Sequence, residues 1–436
     1  MKTKSEFESF LKGFYNNLKV EKLIKTRVKL HSGSLYYRNR FFLDLKKFKK
    51  VGIVAIGKNS IEMAESFQQI IPDSKILVIT PENNQNYKNE NFKIVESSHP
   101  YISQKSFEAG KCVLDFVSKF GKNDLIIFLI SGGSSALVEK TQPGINNNQI
   151  VEINNALLSS DFSIIDINIL RQSLSDIKGG GLLNYISAQT VSFIISDIAG
   201  GCFEKVGSGI SVYTVKNRMF YNNAIKILNK LQISPVLKNN LTDFLNKKKN
   251  NIEIKHGQEK TTFVKLAQPS HALETFSTTL KDNSYFLKNG LKDFNSNLDE
   301  FNKLFSGECR KLCKNEFFAI SGEVLYSISD KKGSGGRIQH TMLSNLDNVS
   351  DDTIIGGIAT DGVDGVTPEK ICGVYINKEI KNRILEYDFK KALDDFNSYE
   401  ILNKCGALVK NSSFKTSNFA DIYFTAKIKR GVRPHK

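Results

Sequence analysis

Six places along the chain carry residue types suited to handling an anion. In GIVAIGKN, Gly52 to Asn59, Lys58 ends an apolar run. The spacing imitates a P-loop, but Ile-Val-Ala-Ile between the glycines reads as the strand itself, and Asn59 stands where Ser or Thr would hold magnesium. Lys58 is therefore either a point charge for a phosphate or a surface lysine. In FLISGGSSAL, Phe128 to Leu137, the residues Gly132, Gly133, Ser134 and Ser135 form either a cradle of N–H and hydroxyl donors or a plain strand-to-helix turn. Ser134 faintly echoes the G-x-S-x-G nucleophile elbow, but Ala136 replaces the last glycine and no His motif follows, which disfavours a serine nucleophile. In INILRQSLSDIKGGGLLNYI, Ile167 to Ile186, Arg171 and Lys178 lie seven apart and are expected on one helix face ahead of Gly179, Gly180 and Gly181. Two cations there suit a carboxylate or phosphate, and the glycines alone could end a helix. Asp197 follows an apolar run in SFIISDIAGG, and TDGVDG holds Asp361 and Asp364. These carboxylates are turn residues, or the groups that magnesium and a general base require. GSGGRIQH, 333 to 340, puts Arg337 after a glycine run, where a guanidinium could brace a phosphate.

The elements that must position these groups are visible as four apolar runs, VGIVAI (51 to 56), LIIFLI (125 to 130), VSFIIS (191 to 196) and IIGGIA (354 to 359). Runs of this kind form parallel strands buried on both faces. Helical patterns lie between them: Met63, Phe67, Ile70 and Ile71 share a spacing, as do Ala109, Val113, Phe116 and Val117. The alternation predicts an α/β protein with its polar motifs at the carboxyl ends of the strands, where open sheets bind ligands. A Lys/Asn-rich stretch divides it: residues 1–235 form an N-terminal domain, 236–260 an exposed polar connector and 261–436 a second α/β domain.

At 436 residues and 40% hydrophobic content the chain is long enough for two such cores. No apolar run reaches membrane-spanning length and the N-terminus has no signal core, so a cytoplasmic protein without membrane contact is expected. The net charge of +16 is spread along the sequence rather than gathered in a nucleic-acid motif. The basic cluster NKKKNN, 246 to 251, reads as a solvated loop with at most weak attraction for anions. Six scattered cysteines suggest free thiols, with Cys309 and Cys313 on one buried helix face rather than at a metal site.

Taken in order, the motifs resemble the bacterial glycerate 2-kinase family, whose C-terminal part is a MOFRL-type domain. The resemblance rests on GKNSIEMA (57 to 64), SSHP (97 to 100), ISGGSSAL (130 to 137), INILRQSLSDIKGGGLL (167 to 183), ISDIAGG (195 to 201), GSG (207 to 209), SGEV (321 to 324), GSGGR (333 to 337) and ATDGVDG (359 to 365). It implies a Rossmann-like N-terminal domain with a mostly parallel sheet and a smaller C-terminal domain with a mixed sheet. It also implies transfer of the ATP γ-phosphate to the 2-hydroxyl of D-glycerate in an interdomain cleft. Magnesium would arrive with the nucleotide, without a dedicated protein site, and a homodimer is compatible with the family. The resemblance makes Lys58, Asp197 and Arg337 catalytic, and gives substrate or phosphate to Gly132, Gly133, Ser134, Ser135, Arg171 and Lys178. Asp361, Asp364, Thr416 and Asn418 fall on the nucleotide and metal side. The chain departs from the family pattern at Ser173, Gly201, Ile210, Ile338 and His340. A non-catalytic member that binds an anionic metabolite or a partner is the second reading. A hydroxypyruvate reductase-type oxidoreductase is the third, disfavoured because the first strand leads into GKNS rather than G-x-G-x-x-G.

Overall fold

A strand with an apolar side chain at nearly every position is stable only where both of its faces are covered. In the computed structural model, which describes residues 1–82, 89–198, 202–252, 261–326, 333–411 and 419–428, these runs lie inside two compact units. One comprises Ile24–Ile198 and Cys202–Ala267, and the other Met1–Leu23 and Gln268–Lys436.

The first unit opens with a small antiparallel sheet, β1 (Val28–His31), β2 (Ser34–Tyr37) and β3 (Arg40–Asp44). Its main sheet holds β4 (Val51–Ile56), β5 (Lys75–Pro81), β6 (Phe92–Ser97), β7 (Leu125–Ile130), β8 (Gln189–Ile195) and β9 (Thr261–Ala267). All of its pairings are parallel, in the order β6-β5-β4-β7-β8-β9. This is the doubly wound Rossmann order, with its switch point between β4 and β7. Ser103 opens helix Gln104–Val117 with a capping box, and Ala109, Val113, Phe116 and Val117 all bury on its sheet-facing side, as their spacing predicts.

The second unit carries β10 (Phe286–Asn297), β11 (Glu316–Leu325), β12 (Thr353–Ile358), β13 (Ile371–Ile376), β14 (Leu408–Lys410) and β15 (Asp421–Lys427), in the order β10-β11-β15-β12-β13-β14. Only β10 and β11 run parallel; the other neighbours are antiparallel. Helix Lys4–Leu18 packs on this sheet. Phe7 stacks on Tyr375 at 5.5 Å, and the Tyr15 hydroxyl donates to the carbonyls of Ala359 (2.7 Å) and Cys372 (3.2 Å).

Four expectations need correction. IIGGIA is buried on both faces but antiparallel to both neighbours, because burial alone does not encode strand direction. The segment expected as an exposed connector from 236 is, in its described part, mainly helix Pro235–Asn250, which Ser234 caps. Leu237, Leu241 and Leu245, four apart, bury on one face while polar residues, lysines and asparagines above all, make up most of the rest. Residues 261–267 are not the start of the second domain but β9, the edge strand of the first sheet, and the first 23 residues pack with the second unit. Cys313 is exposed beyond a helix that stops at Cys309, so the two thiols share no helix face.

Candidate functional site

The register of the parallel sheet brings the motifs level. Ile56 pairs with Ile130, and Ile130 with Ile194, so the residues after β4, β7 and β8 leave the sheet side by side. The Lys58 N–H donates to the Gly132 carbonyl at 2.9 Å, and the Asn59 N–H to Ser131 Oγ at 3.1 Å. These bonds pin the two strand exits across the switch point, the crevice in which doubly wound folds bind ligands.

Gly132 and Gly133 make room for the side chains that crowd them. A Cβ on Gly132 would lie 2.1 Å from Asp197 Oδ2, so the glycine lets the carboxylate lie against the backbone. Gly133 has φ +85°, and a Cβ there would meet the His99 ring at 3.0 Å and Lys58 Cγ at 3.2 Å. Lys58, Asp197, His99 and the glycine pair thus form one cluster, with Lys58 exposed. Although much of Asp197 is open to solvent, desolvation of its carboxyl raises the pKa, and the Lys58 charge opposes that rise. His99 is pushed the other way, by burial first and by Lys58 second, which favours the neutral imidazole. Sequence reasoning gave His99 no role. The SSHP motif was the available signal, but nothing local showed that the ring would reach Gly133.

Ser134 begins the short helix Ser134–Leu137, and its Oγ is fully buried without a hydrogen-bond partner. Among the described residues no base is hydrogen-bonded to it, and an orphaned buried hydroxyl suits a group that receives a ligand. Arg171 donates through Nε to Asn154 Oδ1 at 2.7 Å and through an Nη to Ser135 Oγ at 3.4 Å, so these two predicted residues do meet. Burial lowers the Arg171 pKa, and Glu139 opposes the shift.

Lys178 does not share a helix face with Arg171. Helix Ile164–Leu174 ends before it, because Ser175 turns extended and its Oγ accepts the N–H groups of Ile177 and Lys178, both at 3.3 Å. The Lys178 side chain is 0% exposed and ion-paired with Glu139, which makes it an internal brace rather than an open anion contact. The glycines after it hold the loop to its neighbours: Gly179 N–H donates to the Ser208 carbonyl at 2.9 Å, and Gly180 N–H to Gly209 at 2.7 Å.

In the second unit, Arg337 begins helix Arg337–Ser344 and pairs with Glu323 at 2.8 Å while staying 39% exposed. Burial would lower its pKa, but Glu323 and Asp421 outweigh that and raise it. The Asp421 carboxyl is itself pushed well up, first by burial and then by Asp364, with Arg337 opposing. Asp364 does not face outward to a metal. Its two carboxylate oxygens accept the N–H groups of Ile338 (3.0 Å) and Gln339 (2.9 Å), capping the Arg337 helix where Gly336 offers no side chain. Asp361 is exposed and accepts the Val363 N–H at 3.0 Å, an ordinary Asx turn. Thr416 and Asn418 lie outside the described residues, as does Gly201. The other departures are internal. Ser173, Ile210 and Ile338 are fully buried, and His340 stacks flat on Phe396 at 4.3 Å.

Comparison with known proteins decides the family. The family described as "Domain of unknown function (DUF4147)" matches residues 8–246, and the MOFRL family matches residues 317–421. A glycerate 2-kinase of Sulfurisphaera tokodaii is 31% identical over 393 residues, covering 88% of this chain and 92% of that one. The chain belongs to the glycerate 2-kinase family. The fold of the family is shared as well. The crystal structure of a Pyrococcus horikoshii protein superposes with a TM-score of 0.83 at 22% identity, covering 98% of this chain and 99% of that one. The crystal structure of a Thermotoga maritima glycerate kinase superposes with a TM-score of 0.80 at 22% identity, covering 96% and 98%. Membership supports the two-domain α/β reading and a kinase acting on an alcohol group. Among the described residues, no helix is long and apolar enough to cross a membrane.

Proposed function

We propose that this protein transfers the γ-phosphate of ATP to a hydroxyl of a small hydroxy acid, with D-glycerate to 2-phosphoglycerate the first pair to test. The observation that carries the reading is the cluster of Lys58, Gly132, Gly133 and Asp197 at the switch point, in a chain of the glycerate 2-kinase family. The acceptor oxygen attacks the γ-phosphorus, the bond to the β-phosphate oxygen breaks, and ADP leaves. Asp197, its pKa raised by desolvation, takes the hydroxyl proton; a base nearer neutrality serves that task better than an ordinary carboxylate. Lys58 is the proposed phosphate cation of the first unit, neutralising charge on the transferring group, and Arg337 a proposed anion contact of the second. Ser134 and Ser135, with Arg171 behind Ser135, receive the acid or a phosphate.

Among the described residues, no group of three His, Cys, Asp or Glu side chains is arranged to hold a metal ion. Magnesium on this reading enters on the nucleotide phosphates, with few ligands from the protein. The test is a coupled assay of ADP release over a panel of hydroxy acids, with the folded state checked by circular dichroism. ATP-dependent phosphorylation of glycerate or a close analogue is expected. Folded protein that turns over none of the panel would overturn the proposal and leave the binding-only reading in its place.

A further inference from the structure

A feature the proposed function leaves unexplained is a cavity of about 780 Å³ in the first unit, between the end of helix Pro235–Asn250 and the loop that carries Gly179 and Gly181. The lysine cluster that reads in sequence as a solvated loop lines it through Lys247 and Lys248. Lys216 lines the same cavity and makes no ion pair with the described residues. Its ammonium donates to two backbone carbonyls, Gln172 at 2.7 Å and Lys178 at 3.2 Å, which leaves a third N–H. Two carboxylates line the cavity against three lysines, and one of them, Asp176, is already held by Lys140 Nζ at 2.6 Å and by the Tyr185 hydroxyl, which leaves Asp243. The walls add Tyr213, Tyr221 and Phe244, with Lys248 Nζ 5.5 Å from the Phe244 ring centre. A void of this size suits a small organic ligand far better than a bare ion.

We propose that this cavity binds a phosphorylated small molecule, with its phosphoryl group on Lys216, Lys247 and Lys248 and its ring against Tyr213, Tyr221 and Phe244. A phosphate monoester answers each observation: it brings the missing negative charge, accepts the remaining Lys216 N–H and fills aromatic space that inorganic phosphate would leave empty. Burial holds Lys216 down to about 8, with Asp176 and Glu139 raising it and Lys248 lowering it, and a bound dianion would restore its full charge. The site involves none of the residues assigned to phosphoryl transfer, so it stands or falls apart from that assignment.

Isothermal titration calorimetry of phenyl phosphate into the full chain tests it, run in a Lys58→Ala background so that the strand-tip cluster does not contribute. Saturable binding is expected, with at least tenfold weaker binding of inorganic phosphate and none of phenol. Adding Lys216→Met should weaken phenyl phosphate tenfold or more, and Lys216→Arg should retain most of the affinity. No saturable binding, or an affinity indifferent to Lys216→Met, overturns the proposal. Should Lys216→Met fail to fold, the double variant Lys247→Ala, Lys248→Ala carries the test, and an unchanged affinity there is equally fatal.

Discussion

The Ser134 hydroxyl is buried and unpartnered, so it has a desolvation cost in the free protein that only a ligand or water can offset. Ser134→Ala should stabilise the free protein by roughly 1 kcal/mol while raising the KM of whichever substrate the hydroxyl meets. Urea unfolding beside separate KM measurements for ATP and the acid checks both halves, and reveals which ligand the serines face. Lys58 and Arg337 should behave oppositely. Both are partly exposed, and the ion pair of Arg337 with Glu323 is a surface one that contributes little to stability. Lys58→Ala or Arg337→Ala should each cut turnover about a hundredfold or more with the Tm nearly unchanged, whereas a parallel fall in Tm would mark them as structural. Lys216 carries a pH signature. Its folded pKa, about 8, lies below its unfolded value, so between the two the unfolded chain holds the proton and the folded one releases it. Stability should therefore rise from pH 8 towards 10 in the wild type relative to Lys216→Met, as read by urea titrations at each pH.

At the level of elements, the Arg337 helix depends on a cap from a distant loop. Asp364 is 4% exposed and accepts two of the helix's first N–H groups. Asp364→Ala should cost about 2–3 kcal/mol and lower turnover by loosening Arg337, with Asp364→Asn intermediate in both. The same helix shows what was legible in the sequence. The apolar runs announce β4, β7 and β8, and the residues just beyond them, Lys58, Gly132 and Asp197, lie together because parallel strands in register deliver their exits to one edge. Asp364 was misread because Asp-Gly spacing does not say which N–H groups a carboxylate will meet across 26 residues. Lys178 was misread for a related reason: its partner Glu139 is 39 residues away, and a fully buried charge looks like any other lysine until that partner is known. Composition misled at Pro235–Asn250, where three leucines on one face outweighed a surface rich in Lys and Asn. His99 reached the cluster only through the fold.

Over the whole molecule, the chain's beginning and its last strands share one core. Phe7, Phe10, Leu11, Phe14, Tyr15 and Leu18 are all buried, with Phe10 5.4 Å from Phe276 and Phe7 5.5 Å from Phe424. Burying six such side chains contributes on the order of 10 kcal/mol, comparable to the net stability of a domain. Removal of residues 1–18 should therefore unfold the second unit and leave the first intact. Hydrogen exchange would show lost protection in β12 and β13 and retained protection in β4 and β7, and a synthetic peptide of residues 1–23 should restore the lost protection in trans. The same arrangement bears on synthesis. A ribosome that has finished the first helix must still translate through Ala267 before the sheet that receives it begins to emerge, roughly ten to fifty seconds at ~5–20 residues per second. For that interval the newborn chain presents three phenylalanines and a tyrosine on a helix with nowhere to dock. This is the kind of surface that chaperones hold, so the yield of folded protein in a cell should depend on what shields the first eighteen residues while the last strands are still being made.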